Sequence, residues 1–259
     1  MTGPTPAVRV IATIALLFLA LPFIGLLADL PWRRLDEILT SEALLESLRV
    51  TSIVVPAAAV IIVVLGTPVA WLLARYPSRL TSLIRPLLLV PIVLPPVISG
   101  LVLLSAFGRR GLLGGALESV GVVLPFSLAG TVIAAVFVSL PFYVLAVEVG
   151  FRQIPAARLD AARLLGTTEQ QELASIAIPN ARNAIAAGIL LAAARALGEF
   201  GATITFAGNV EGSTRTLPLA TFAALESDPG LARVIGLVLV GIAVAVIYAL
   251  RGSLIRPMR

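Results

Sequence analysis

Two residues in the fifth apolar stretch of this 259-residue chain carry charge where charge is costly. Arg195 and Glu199 stand in ILLAAARALGEFGATITFAGN, a segment with no other ionisable side chain. A lone charge at the centre of a bilayer costs about 2.5–3.5 kcal/mol on insertion scales. Spaced i, i+4, the two lie on one helical face, where each can neutralise the other. Gly198 and Gly201 bracket Glu199 and allow either a close backbone approach or a break in the helix. Thr203 and Thr205 add hydroxyls. Two readings are open: a structural ion pair between helices, or the lining of a polar path or gate.

The second concentration of charge is the segment PAARLDAARLLGTTEQQELASIAIPNARN, from Pro155 to Asn183. Pro155 cannot continue the helix before it. Arg158 to Leu165 is good helix sequence, with Leu159, Ala162 and Leu165 on one face at three-residue spacing. Gly166 follows as a C-terminal cap. Thr167 or Thr168 caps a second helix that begins near Glu169, with acids in its first turn. Ile176, Ile178 and Pro179 close the stretch. The predicted product is a short helix between turns, lying across one face of the membrane as a handle for a soluble partner. Ala161 and Ala162 suit a close-packed docking face; Asp160, Arg158 and Arg163 either pair with a partner or are simply solvated.

The elements that hold these residues follow from composition. The chain is 59% hydrophobic and 13% charged, with mean hydropathy +1.04, whereas a soluble domain carries roughly a quarter charged residues. Crossing about 30 Å of hydrocarbon takes roughly 20 apolar residues as helix. The class is an all-α polytopic membrane protein with one membrane domain over residues 1–259. Six spans are predicted near residues 10–28, 50–74, 86–108, 126–148, 184–207 and 234–250, with the handle as a loop over 152–183. The first apolar run is expected to be a retained span rather than a cleaved signal. Prolines recur inside the spans, among them Pro56, Pro68, Pro91, Pro95, Pro96 and Pro141, and VPIVLPPVISG in the third is expected to be kinked or irregular.

Six spans place both termini on one side. With the termini inside, eleven arginines fall on inner segments and seven on outer ones. RYPSRLTSLIR, with three arginines and no acid, is the cleanest inner loop. The termini and the handle are therefore expected in the cytoplasm. The net charge of +5, all of it from arginine, reflects helix ends and loops, so no nucleic-acid partner is expected. There is no cysteine and no histidine. That removes disulfides, thiolate nucleophiles, Cys/His metal sites and histidine acid–base catalysis. No catalytic residue and no metal site is expected.

Asp160-Ala161-Ala162, three residues, Gly166, then Ile176-x-Ile178-Pro179 resembles the EAA loop of permease subunits in bacterial binding-protein-dependent ABC importers, with Asp160 where glutamate is usual. A narrower likeness lies in Ala196–Asn209 (ALGEFGATITFAGN), in Thr214–Ala220 (TRTLPLA) and in Val90–Gly100. These stretches are similar to permeases of the molybdate/tungstate/sulfate group, and ATITFAGN with TRTLPLA resembles the molybdate type more than the sulfate type. The resemblance covers essentially residues 45–250.

The resemblance implies the type I importer permease fold and a gated pathway for a tetrahedral oxyanion, most readily molybdate, with sulfate/thiosulfate or tungstate as the nearest rivals. It implies a homodimer in the lipid bilayer of the bacterial inner membrane. Two cytoplasmic ABC ATPase subunits, which bind ATP and Mg, sit below; a periplasmic or lipid-anchored oxyanion-binding protein delivers from above. This chain then needs no cofactor and has no ATPase site. Asp160, Ala161, Ala162, Arg163, Gly166 and Pro179 become ATPase-coupling residues, and Arg195, Gly198, Glu199, Gly201, Thr203 and Thr205 become pathway or gate residues. An unpaired Glu199 facing the path would repel the anion, so Glu199 is expected to face a helix–helix contact, with Arg195 or a backbone donor as its partner. A proton-coupled secondary transporter is the alternative of a different class. It usually needs ionisable groups in several spans, and the Arg195/Glu199 region alone qualifies.

Overall fold

The structure is a computed structural model that describes the backbone of residues 5–255 and side chains as far as Tyr248. Arg251, Arg256 and Arg259, counted above on the inner side, lie outside the described side chains. Among the described residues the chain is helical throughout, with no strand.

Four helices are each long and apolar enough to cross a membrane: α1 (Pro6–Ala28), α3 (Glu42–Arg75), α7 (Leu128–Arg152) and α14 (Pro229–Ile255). The predicted third and fifth spans are broken. The third is α4 (Arg79–Val93) and α5 (Pro96–Phe107), separated at Leu94 and Pro95. Pro95 lacks an N–H and forces the residue before it toward extended backbone; Leu94 accordingly has ψ 135°. By contrast Pro56 and Pro68 are absorbed inside α3, and Pro141 inside α7.

The helix that carries the second predicted span extends well upstream of it. Helix α3 starts eight residues upstream of Val50, capped by Ser41, whose hydroxyl accepts from the Leu44 N–H. Its charged first turns had suggested a loop, yet Leu44, Ser47, Val50 and Thr51 form a buried stripe. At 34 residues the helix is about 50 Å long. Before it lie a 3₁₀ turn (Trp32–Arg34) and α2 (Leu35–Leu39). After α5 come a loop, the short α6 (Gly114–Ser119) and a second loop through Ser127, where an outer loop was expected.

Helix α7 is the centre of the bundle, packed along α3 and along α11 (Arg182–Leu197). Tyr143 of α7 is fully buried there. Its ring is flanked by glycines of both neighbours: a Cβ on Gly66 would come within 2.6 Å of the ring, and one on Gly188 within 3.0 Å. Its hydroxyl shares a 2.7 Å hydrogen bond with Thr67. The fold thus closes by letting two backbones approach one aromatic ring. Helix α1 contributes nothing to this core; none of its described residues is buried, and it packs on α14.

Candidate functional site

The handle follows its local signals closely. Pro155 starts α8 (Ala156–Leu164). Gly166 ends it in the left-handed region, φ +82°, where a side chain would be strained. The Gly166 and Thr167 N–H groups return to the Arg163 and Ala162 carbonyls at 2.9 and 3.2 Å. Thr168, of the two threonines proposed, is the next cap. Its hydroxyl accepts from the Gln171 N–H, and the Gln171 side chain accepts from the Thr168 N–H, which is a full capping box. The helix α9 (Glu169–Gln171) runs on through a π-helical stretch (Glu172–Ala177) into α10 (Ile178–Asn180). The chain then bends by 79° into α11. Pro179, expected to close the stretch, sits inside the last turn before that bend and is exposed.

Two assignments on α8 change. Leu159 and Ala162 face inward, 2% and 8% exposed, but Leu165 does not share their face and is 87% exposed. It lies past the last helical residue, so helical spacing no longer governs its direction. Ala162, expected on a docking face, is packed inside the chain; Asp160 and Ala161 are exposed. The outward apolar groups are instead Leu164 and Leu165, side by side at the tip and almost fully exposed.

Arg163 is engaged within the chain. Its Nε donates to Glu172 Oε1 at 2.6 Å and its Nη2 to Oε2 at 3.0 Å, a two-pronged contact, with Asp160 at 3.8 Å. Glu172 is buried, 1% exposed. Its hydrogen bond raises the affinity of the Arg163 guanidinium for its proton. Arg158 bonds the Asn180 side-chain oxygen, tying α8 to α10. The handle is therefore a braced unit rather than a flexible loop.

At the other candidate site, α11 stops at Leu197 and a short α12 (Gly201–Phe206) follows. Glu199 sits in the break, 3% exposed. Its Oε1 accepts the Ala202 N–H at 2.6 Å, capping α12, and its Oε2 is 2.6 Å from Arg195 Nη1. Oε2 accepts no hydrogen bond there, so the attraction is coulombic rather than directional. Both partners foreseen for Glu199 are thus present. Gly201 meets Pro96 so closely that a Cβ would overlap the proline Cβ, and a Cβ on Gly100 would meet Thr205. The broken ends of α5 and α12 therefore pack directly on each other. Gly198 has no such neighbour; the nearest atom is 3.9 Å from where its Cβ would be. Thr203 is buried and Thr205 donates to the Gly201 carbonyl at 2.9 Å.

Sequence reasoning missed the buried acid Glu148 of α7, 3% exposed. It takes Arg152 Nε at 2.8 Å and a contact from Arg85 of α4. The i, i+4 spacing to Arg152 was available in the sequence; the link to Arg85, 63 residues away, was not.

Residues 62–256 match the family described as "Binding-protein-dependent transport system inner membrane component". The chain belongs to that family. It is similar to the Molybdenum transport system permease protein ModB of Mycobacterium tuberculosis, 39% identical over 236 residues, 91% of this chain and 89% of that one. ModB of Escherichia coli K12 is 37% identical over 210 residues, 81% of this chain and 90% of that one. The Sulfate transport system permease protein CysT of the same organism is 32% identical over 213 residues, 81% of this chain and 77% of that one. The type I permease fold expected from the EAA-like handle is the fold of this family, and the protein is a multi-pass membrane component of a transport system.

Proposed function

We propose that this chain is the transmembrane permease of an ATP-driven importer of molybdate. The cargo rests on likeness along nine-tenths of the chain to permeases named for molybdenum transport. The weaker likeness to a sulfate permease keeps sulfate as the second reading. Two copies form the pathway, each a single permease domain of six spans, with α4–α5 and α11–α12 as broken spans. Two cytoplasmic ATPase subunits bind ATP and Mg, and a periplasmic or lipid-anchored binding protein delivers the anion. Both termini and the handle are cytoplasmic, as the arginine distribution favours.

The observation that carries the coupling role is the handle's construction. A charged, water-side segment is braced from within by Arg163–Glu172 and Arg158–Asn180, and it presents two adjacent exposed leucines. Paired exposed apolar groups on a polar segment mark a surface that is covered by something else. Asp160, Ala161, Leu164 and Leu165 are its outward residues; Gly166 sets its turn. ATP-driven closure of the ATPase pair pulls the two handles together, and the spans rock between inward-open and outward-open.

In the pathway, the Glu199 carboxylate is neutralised by Arg195 and by the α12 cap, so it does not repel an anion. Thr205 and the Ala202 N–H are already committed inside the chain. The conduit therefore binds its cargo weakly, as rapid release requires, and selectivity resides mainly in the delivery protein. The test is uptake into proteoliposomes that hold this chain, its ATPase and its binding protein. Molybdate is expected to accumulate in preference to sulfate. Preference for sulfate would overturn the cargo.

A further inference from the structure

We infer that Arg75 is a positioning residue that latches the handle to the membrane bundle, so that force on the handle reaches α3 and α4 as well as α7. The inference rests on the coupling role proposed above.

Arg75 is the last residue of α3, and its Nη2 donates to the carbonyls of Phe151 at 2.6 Å and Ile154 at 2.8 Å. Arg152 is the last residue of α7, and its Nη2 donates to the Leu73 carbonyl at 3.0 Å. Each helix thus uses its terminal arginine to satisfy end carbonyls of the other. Carbonyls at a helix end lack the partners of the helix interior, and the dipole favours a cation there; the Phe151 carbonyl otherwise takes only end-turn contacts such as the Ile154 N–H at 3.3 Å, and Ile154 itself lies just past the end of α7. The Arg75 guanidinium lies 5.6 Å from the centre of the Trp71 ring. Trp71 in turn packs edge-on against Phe151, with ring centres 5.3 Å apart. Guanidinium, indole, phenyl ring and the Phe151 carbonyl close a loop that fixes the arginine in place. On the far side, Glu148 holds Arg152 at 2.8 Å and also holds Arg85 of α4.

The position of this junction gives it its role. Ile154, whose carbonyl Arg75 grips, immediately precedes Pro155, where the handle begins. The opposite end of the handle is held differently: Ala181, at the 79° bend into α11, offers no side-chain cap, and that end is held by the Arg158–Asn180 contact and by apolar packing of Ala181 and Ala184 on Gly150 of α7. A pull on α8 therefore meets a joint cross-braced by arginine–carbonyl hydrogen bonds toward α7, α3 and α4, and toward α11 a bend without a side-chain cap. Helix α4 leads through the Leu94–Pro95 break to α5, which packs on α12 beside Glu199. Rigid elements joined by such contacts carry coupling energy, and coupling has to be measured rather than traced.

The experiment substitutes Arg75→Gln, and separately Arg75→Lys, in the complete transporter with its ATPase and binding protein in proteoliposomes. ATP hydrolysis and molybdate uptake are measured on the same vesicles. The expected result for R75Q is hydrolysis within about twofold of the parent and at least a tenfold fall in molybdate moved per ATP, with partial recovery in R75K. Equal loss of hydrolysis and uptake, or no change in their ratio, would overturn the latch. A parent complex in which uptake is independent of ATP would instead overturn the coupling role itself, so the two failures are distinct. Should R75Q not assemble with the ATPase, spin labels at Ala157 and Leu65 of the full chain in nanodiscs give the second reading. The latch predicts a narrow distance distribution in the parent and a broad one in R75Q. Identical distributions would end the proposal.

Discussion

Truncating Leu164 and Leu165 separates docking from folding. Both side chains are almost entirely in water, 88% and 87% exposed, so neither contributes to the stability of the chain alone. If they enter an apolar cleft on the ATPase, each Leu→Ala change withdraws three carbons from it, at about 0.8 kcal/mol per buried methylene. That is about 2 kcal/mol per leucine, or roughly thirtyfold in affinity. Leu164 closes α8, and alanine is the best helix former, so the handle's own structure is preserved. The assay is binding of the purified ATPase to the nanodisc-embedded permease, with thermal unfolding of the permease measured in parallel. Leu159→Ala is the control from the opposite face. Its side chain is 2% exposed, so it is expected to destabilise the chain by about 2–5 kcal/mol. Unchanged ATPase affinity in both Leu164→Ala and Leu165→Ala would refute the assignment of this tip as the docking surface.

Three other outcomes follow from the geometry. Gly201→Ala drives a methyl into Pro96 and is expected to cost about 1–3 kcal/mol in thermal unfolding, whereas Gly198→Ala, with open space around it, is expected to be close to neutral. Glu199→Gln leaves the Arg195 charge without its buried partner and is expected to destabilise by about 3–5 kcal/mol. Combining it with Arg195→Met is expected to recover part of that loss, and no recovery would mean that the two groups do not act as a pair. At the start of α14, Asp228 accepts from Arg34 Nη2 at 2.9 Å and from the Leu231 and Gly230 N–H groups at 3.1 and 3.0 Å, which hold its carboxyl below the usual carboxylate range, Arg34 first. Because the folded pKa is the lower one, the stabilisation is complete above the unfolded value near about 4 and is lost as pH falls through the folded value. Asp228→Asn is therefore expected to flatten the acid limb of a stability–pH profile below about pH 4, leaving the profile above it parallel to the parent's.

What was legible in the chain was what neighbours in sequence decide. The turn at Pro155, the cap at Gly166, a threonine cap before Glu169 and the i, i+4 pair Arg195/Glu199 all rest on residues within four positions of each other; the structure makes each of them, choosing Thr168 as the cap and setting Glu199 just past the end of α11. That VPIVLPPVISG is irregular was legible for the same reason, though not that the break falls at Leu94–Pro95. Ala162 was placed on the wrong side because small size is compatible with docking and with internal packing alike, and only the tertiary environment of α8 distinguishes them. Leu165 was misjudged because its helix ends one residue earlier. The start of α3 was missed because Glu42, Glu46 and Arg49 look like loop, while the buried stripe beneath them needs α13 (Leu217–Ser227) and α14 as a counterpart. Glu172 was out of reach as a buried counter-ion: it binds Arg163 across the Gly166 turn, through a π-helical stretch with no local signature. Glu148 with Arg85, and Arg75 with Phe151, join residues more than 60 positions apart, which one sequence cannot pair.

The most direct test of the account is accumulation of molybdate against its gradient by proteoliposomes made with and without the ATPase subunit, at fixed ATP and binding protein. A bundle driven through its handle accumulates molybdate only when the ATPase is present and hydrolysing. Uphill accumulation by the permease and binding protein alone would contradict it.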